Sequence, residues 1–497
     1  MTQSTRTQSR TSSARTRGLT RTRTRFTDLL IVTTVATYVL IALGTAVSTT
    51  GSAGSCTTWP SCSSDWAFGP ITADGLLFWS HRAVALVAGL LLVGTAYTAW
   101  RLAVDRRIGV ALALAAVLYP VQVALGATLV VRESSVAGVA HLALAMTIFA
   151  SLLVALVLAL EDVALETAGV DDAEERSTLE SPTDDPIPSE TPPAVTGDDR
   201  PTGLERLRRT AGAYLTLTKP KLMWLLCLVA LAGMGLATLT GERLEVTTAI
   251  ATLIGGVLAI GASGTFNHVW ERDRDRKMQR TSDRPMVHDL VPVRNAVVFG
   301  AVLTVGSVAI VYTWVNTLAA LLTLSAIGYY VVLYTILLKP NTEWNTVLGG
   351  GAGAIPALIG WAAVTGSIGA PAIVLAAVIF LWTPAHFYSL AIAYKDDYAR
   401  GGFPMFPVVE GNLAARRHIV LFLGATLLSA SLLGWLAGLG WLYALASVAL
   451  GVTFLRSVVR QYRTPTDETA LRSFYVSNYY LGAILGAVIL ETLVIAG

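Results

Sequence analysis

Long apolar runs alternate with short polar ones along most of this 497-residue chain. Each run lasts about twenty residues, the length a helix needs to cross a hydrocarbon core about 30 Å thick. The pattern predicts four spanning helices in the first third, at 27–48, 76–98, 108–130 and 137–160. It predicts nine more at 222–240, 246–266, 294–313, 317–338, 346–364, 370–392, 417–437, 440–456 and 474–496. A membrane β-barrel would instead show short alternating segments. The expected fold class is an all-α polytopic membrane protein, a four-helix N-terminal bundle followed by a nine-helix bundle.

The polar stretches divide the chain further. Residues 1–26 carry seven arginines and no acid before Asp28, and are expected to form a basic disordered tail. Residues 161–202 hold thirteen acids, two arginines and several prolines, and are expected to be an acidic disordered linker. The modules are therefore expected at 27–160 and 203–497, joined by reach rather than by packing. Composition agrees: 54% of residues are hydrophobic, 14% are charged, and mean hydropathy is +0.59. A net charge of +3 gives no reason to expect nucleic acid as a partner.

Arg and Lys orient the spans, because basic loops stay on the cytoplasmic side. The N-terminus, Arg101–Arg107, the linker, Arg272–Arg284, Lys339, Lys395–Arg417 and Arg456–Arg472 all fall on one side of a thirteen-span chain. That places the N-terminus and the charged loops in the cytoplasm of a cell-membrane protein.

One of those loops does more than mark topology. In "NHVWERDRDRKMQRTSDRP", ten of the fourteen residues from Glu271 to Arg284 are charged, with both signs mixed. Asn267, Glu271 and Asp275 recur at i, i+4, i+8 and share one face of a helix. Three oxygen donors on one face suit a hard cation such as Mg²⁺, which binds few carboxylates and completes its shell with phosphate and water. Lys277, Arg280 and Arg284 stand beside them. A second loop on the same side, "YKDDYARGGFPMFPVVEG", adds Lys395, Asp396 and Asp397. Carboxylates and cations together suit a metal-bound diphosphate and its departure from an allylic carbon. Salt-bridged topology anchors are the simpler alternative reading of both loops.

These residues carry a resemblance. From about Gly203 onward, "LTKPKLMWLL", "NHVWERDRDRKMQRTSDRP", "YTILLKPNTEWNTVLGGGAGAIPALIGWAA" and "TPAHFYSLAIAYKDDYARGGFPMFPVV" resemble the UbiA superfamily of intramembrane prenyltransferases. Within it they resemble the protohaem IX farnesyltransferases, or haem O synthases. The resemblance implies that farnesyl diphosphate ionises with the help of Mg²⁺. A vinyl group of haem B attacks the farnesyl carbon, and water completes the product, haem O. It implies Asn267, Glu271, Asp275 and Asp396 as metal ligands, with Asp397 beside them. Lys277, Arg280, Arg284 and Lys395 would hold diphosphate or haem propionates. Glu271 stands where the family carries Asp. His386, in "TPAHF", is placed either to approach haem or to serve as a buried, hydrogen-bonded histidine.

The first module resembles half of a CtaA-type haem A synthase, through "GSCTTWPSC", "FWSHR" and "GVAHLALAM". That likeness implies His81 and His141 as axial ligands of a bound haem and a disulfide between Cys56 and Cys62. Phe78 replaces an expected Glu, and four spans replace eight, so haem binding or delivery is implied rather than haem oxidation. The histidines belong at the side opposite Asn267, so the two modules are expected to hold separate sites. Haem A synthase and terminal oxidase assembly proteins are the implied protein partners. The competing readings are a prenyltransferase for a quinone or lipid precursor, and a haem carrier or transporter without chemistry.

Overall fold

A computed structural model describes residues 2–56, 58–59, 61–62, 71–131, 135–175 and 203–496. Side chains are described from residue 22, to residue 166 in the fourth helix, and to residue 494 at the C-terminus. Thirteen helices among these residues are long and apolar enough to cross a membrane. They match the thirteen runs read from the sequence, so this is a multi-pass membrane protein.

The first module consists of α1 (Thr2–Thr50), α2 (Ala73–Leu102), α3 (Arg106–Val131) and α4 (Ser135–Glu175). The second begins with α5 (Gly203–Leu217), a short amphipathic helix, and continues through α6 (Pro220–Thr238), α7 (Val246–Asp275), α8 (Val293–Trp314) and α9 (Thr317–Gly328). A π-helical segment, Tyr329–Leu338, extends α9. Then come α10 (Asn345–Gly349), α11 (Gly351–Thr365), α12 (Ala370–Ala393), the short α13 (Lys395–Arg400) and α14 (Phe406–Val409), α15 (Gly411–Ala437), α16 (Trp441–Arg463) and α17 (Asp467–Ala496).

Two boundaries differ from expectation. Residues 2–26 continue α1 as helix rather than forming an irregular tail. The acidic stretch stays helical to Glu175, because "EDVALETAGVDDAEE" is rich in Ala and Glu, which lose little side-chain freedom in a helix. The rest of the expected linker, 176–202, lies outside the described residues.

The larger difference is that the modules pack. Helices α1 and α4 lie against α15 and α16, and one hydrophobic core runs from Tyr38, Phe149 and Leu156 to Ile419, Leu423 and Phe454. Tyr38 Oη and Ser447 Oγ share a hydrogen bond of 2.5 Å across the seam. Thr49 donates to the Leu439 carbonyl at 3.0 Å. Where the charged loops meet, Arg463 pairs with Asp28, and Arg417 lies 3.7 Å from Glu161. Sequence reading missed this seam because lipid-facing and helix-facing apolar residues look alike.

Within the second module, α6 and α11 approach backbone to backbone. A Cβ on Gly233 would sit 2.4 Å from the Ala357 carbonyl oxygen, and one on Gly360 only 2.0 Å from that of Ala230. Small residues permit such contact where lipid provides little hydrophobic drive between helices. The same two helices wall the cavity described below. Gly360→Ala should therefore separate them, lowering unfolding stability by about 1–3 kcal/mol, read as the unfolding midpoint in detergent. An unchanged midpoint would show that the contact is not limiting.

Candidate active site

The site lies where α7 leaves the apolar layer at the basic face. Asn267, Glu271 and Asp275 occupy the last turns of α7 and are all buried, at 1%, 2% and 2% exposure. Buried carboxylates need partners. Each of these three side chains has a different cation. Lys219 Nζ donates to Asn267 Oδ1. Lys339 Nζ donates to Glu271 Oε1 at 2.5 Å. Arg284 Nη1 donates to Asp275 Oδ2 at 2.6 Å and lies 3.7 Å from Glu271 Oε2.

Each cation comes from a different element. Lys219 links α5 to α6 with φ 54, a left-handed conformation that costs a side-chain-bearing residue about 1–2 kcal/mol. That turn aims its ammonium at α7. Burial, with Arg284 nearby, pushes Lys219 down to about 8. Lys339 caps the π-helical segment. The i→i+5 pattern widens each turn, and Tyr330, Thr335 and Lys339 all come round to this cluster. Asn267 Nδ2 donates to Thr335 Oγ1 at 3.1 Å, and Lys219 donates to Tyr330 Oη at 3.2 Å. Arg284 reaches back from the loop after α7, which turns through the bonds Met278 N to Asp275 O and Arg284 N to Thr281 O.

A cavity of about 760 Å³, counting its open mouth, adjoins this cluster. Lys219 and Tyr330 line one end, and Leu226, Ala259, Ile260 and Ile359 are among the apolar groups lining the rest. Along α7 its wall extends from Thr252 to Gly264, roughly 18 Å at 1.5 Å per residue. A polar head beside a long apolar slot fits an amphiphile with an anionic end.

The second acidic loop plays a different part from the one expected. Asp396 is exposed on α13, and the structure does not bring it to Glu271 and Asp275. Among the described residues, no three His, Cys, Asp or Glu side chains converge as a metal site. Asp397 is buried and turned the other way, since adjacent residues on a helix point about 100° apart. Its carboxylate accepts the N–H groups of Gln279 (2.7 Å) and Arg280 (3.1 Å) and the Arg400 guanidinium (2.7 Å). It thus clamps the loop that carries Arg284. Of the other expected anion binders, Arg280 bonds Tyr398 Oη at 2.9 Å and lies over the Tyr394 and Tyr398 rings. Lys277 is exposed and Lys395 is half-buried. Only Arg284 among the four reaches the carboxylates. His386 bonds Ser477 at 2.6 Å and stacks between Trp382 and Phe474, so the buried reading of that residue holds.

In the first module, the expected disulfide joins Cys56 and Cys62. The His81 ring packs on Gly44 of α1 and the His141 ring on Gly126 of α3. Both Nδ1 atoms are buried without a hydrogen-bond partner. Phe78 is buried beneath the Arg82 guanidinium, 4.5 Å from its ring centre.

The UbiA prenyltransferase family matches residues 226–481. A protoheme IX farnesyltransferase of Haloarcula marismortui is 50% identical over 477 residues, covering 94% of this chain and 98% of its own. The chain belongs to the protohaem IX farnesyltransferases of the UbiA family. Another of these enzymes, from Roseiflexus castenholzii, is 36% identical over 92% of this chain and 82% of its own. One from a Mycobacterium species is 41% identical over 290 residues, 58% of this chain but 92% of its own. Farnesyltransferases of this family thus occur both with and without room for the first module.

Asp397 yields a pH prediction. Burial pushes its carboxyl up, but the Arg280 N–H, the Arg400 guanidinium and the Gln279 N–H outweigh it and leave it below the ordinary value. A depressed carboxyl stabilises the fold above the unfolded value of about 4. That contribution is lost as pH falls through the lower folded value. Pepsin cleavage between residues 277 and 285 should therefore stay slow at about pH 4 and rise below it, whereas Asp397→Asn should be cleaved readily at pH 4. Equal cleavage of both proteins at pH 4 would show that Asp397 is not the clamp.

Proposed function

We propose that the α7 cluster binds the diphosphate of farnesyl diphosphate with Mg²⁺, and that this chain joins the farnesyl group to haem B to give haem O. The single observation that carries this reading is the buried set Asn267, Glu271 and Asp275, each matched by a cation, beside the apolar cavity. Three oxygen donors, one an amide and two carboxylates, fit the Mg²⁺ preference for hard ligands. When bound, the ion would withdraw charge from the leaving diphosphate.

The chain's own residues supply the rest. Lys219, Lys339 and Arg284 neutralise the phosphate oxygens as the C1–O bond breaks. The apolar wall keeps water from the allylic cation at C1. The terminal vinyl carbon of haem B attacks C1 and leaves a cation on the carbon next to the porphyrin. Water adds there, and its proton passes to solvent. Asp396 lies outside this metal set, and Asp397 acts by holding the Arg284 loop. Orientation by basic loops puts the reaction at the cytoplasmic face.

For the first module we propose a haem held by His81 and His141. The supporting observation is the pair of orphaned, buried Nδ1 atoms at the end away from the α7 cluster, since buried imidazole nitrogens need a partner. Haem A synthase and oxidase assembly proteins are the corresponding partners.

The test incubates membranes with haem B, Mg²⁺ and farnesyl diphosphate and identifies the pigment by mass spectrometry. Haem O should form with the wild type. Asp275→Ala should fall below about a tenth of that activity, because losing a metal ligand costs several kcal/mol of charge stabilisation. Higher residual activity counts against the metal role, and a prenylated quinone as the sole product counts against haem as acceptor. In the same preparations His81→Ala should lose a haem absorbance band from the purified protein. An unchanged spectrum removes the ligand assignment.

A further inference from the structure

Both carboxylates and the amide of the α7 cluster are already occupied. Lys339 sits on Glu271, Arg284 on Asp275 and Lys219 on Asn267. A divalent metal entering alone must break these contacts and leave three cations buried beside it. Its arrival would take the cluster from one net positive charge to three. A diphosphate entering alone meets the two carboxylates. When both enter, the metal takes the oxygens and the phosphates take the released cations, so every buried charge keeps a partner.

We propose that Lys339, helped by Arg284 and Lys219, is an internal counter-ion that excludes divalent metal until a prenyl diphosphate arrives to receive it. Metal and substrate then load as a pair. This rests on the proposed function above. Lys339 suits the role by position. It holds Glu271 from the end of the π-helical segment while its ammonium lies 4.4 Å from the centre of the Phe403 ring. Phe403 lies between α13 and α14, and Arg274 of α7 donates to the Gly402 carbonyl beside it. The lysine thus has an aromatic face to lean on as it leaves the carboxylate. The functional consequence is that free metal does not build a reactive cation site in an empty cavity. By reciprocity, metal also raises diphosphate affinity by the factor by which diphosphate raises metal affinity.

The test uses the full chain in lipid nanodiscs, Mn²⁺ as metal probe and farnesyl thiodiphosphate, which ionises slowly, as diphosphate probe. Calorimetry measures Mn²⁺ binding with and without the thiodiphosphate. In the wild type, Mn²⁺ alone should bind at least about tenfold more weakly than with thiodiphosphate, as expected for loss of one charged hydrogen bond. Lys339→Gln should tighten Mn²⁺ binding in the absence of thiodiphosphate by about the same factor, and the dependence on thiodiphosphate should largely vanish. Lys339→Arg should restore it, which a merely structural role would not do. Arg284→Gln gives the same reading through Asp275 if Lys339→Gln does not fold. Unchanged or weaker binding of Mn²⁺ alone in a folded Lys339→Gln or Arg284→Gln protein overturns the counter-ion role and leaves the metal site standing. A wild type that binds no Mn²⁺ even with thiodiphosphate overturns both.

Discussion

Two carboxylates buried in a membrane-spanning helix set the terms for the rest of the basic face. Glu271 and Asp275 lie within the last turns of α7, almost sealed from solvent. An unpaired charge there would cost several kcal/mol. Lys339 and Arg284 must therefore be delivered to them, and Lys219 to the neighbouring Asn267. The left-handed turn before α6, the π-helical end of the span begun by α9, and the folded loop after α7 all have this delivery as their result. So does the Asp397 clamp, which acts at one remove by fixing the loop that bears Arg284.

The same arrangement joins a polar head to an apolar body. Helices α6, α7, α9 and α11 surround the cavity, and the close contact at Gly233 and Gly360 sets the distance between two of its walls. Charge is gathered at the mouth and is absent along the sides. A prenyl diphosphate has that polarity. Carbocation chemistry needs it too, because the leaving group must be stabilised where the carbon must stay dry.

The four-helix module is more than a passenger on a tether. Its α1 and α4 complete the core around α15 and α16. Its two histidines lie far along the bundle from the ion pairs that join the modules at the basic face. The shared core therefore joins the modules at α1, α4, α15 and α16, while His81 and His141 stand at a different depth of the bundle from Asn267.

The sequence by itself determined what depends on local periodicity. Apolar runs gave all thirteen spans, and the spacing of Asn267, Glu271 and Asp275 gave one helix face with its donors together. The cysteine pair was legible only through the resemblance that "GSCTTWPSC" carries. Tertiary structure decided which cations meet those donors. Lys219 is 48 residues from Asn267, and Lys339 is 68 from Glu271. In the sequence Lys339 reads only as a topology marker, although the chain has just five lysines and both of these stand at the ends of spans, which is a usable signal. Tertiary structure also separated Asp396 from Asp397, adjacent and chemically identical in the sequence, by turning one to solvent and the other into the loop. It hid the seam between the modules too, since an apolar side chain facing lipid and one facing another helix are written with the same residues.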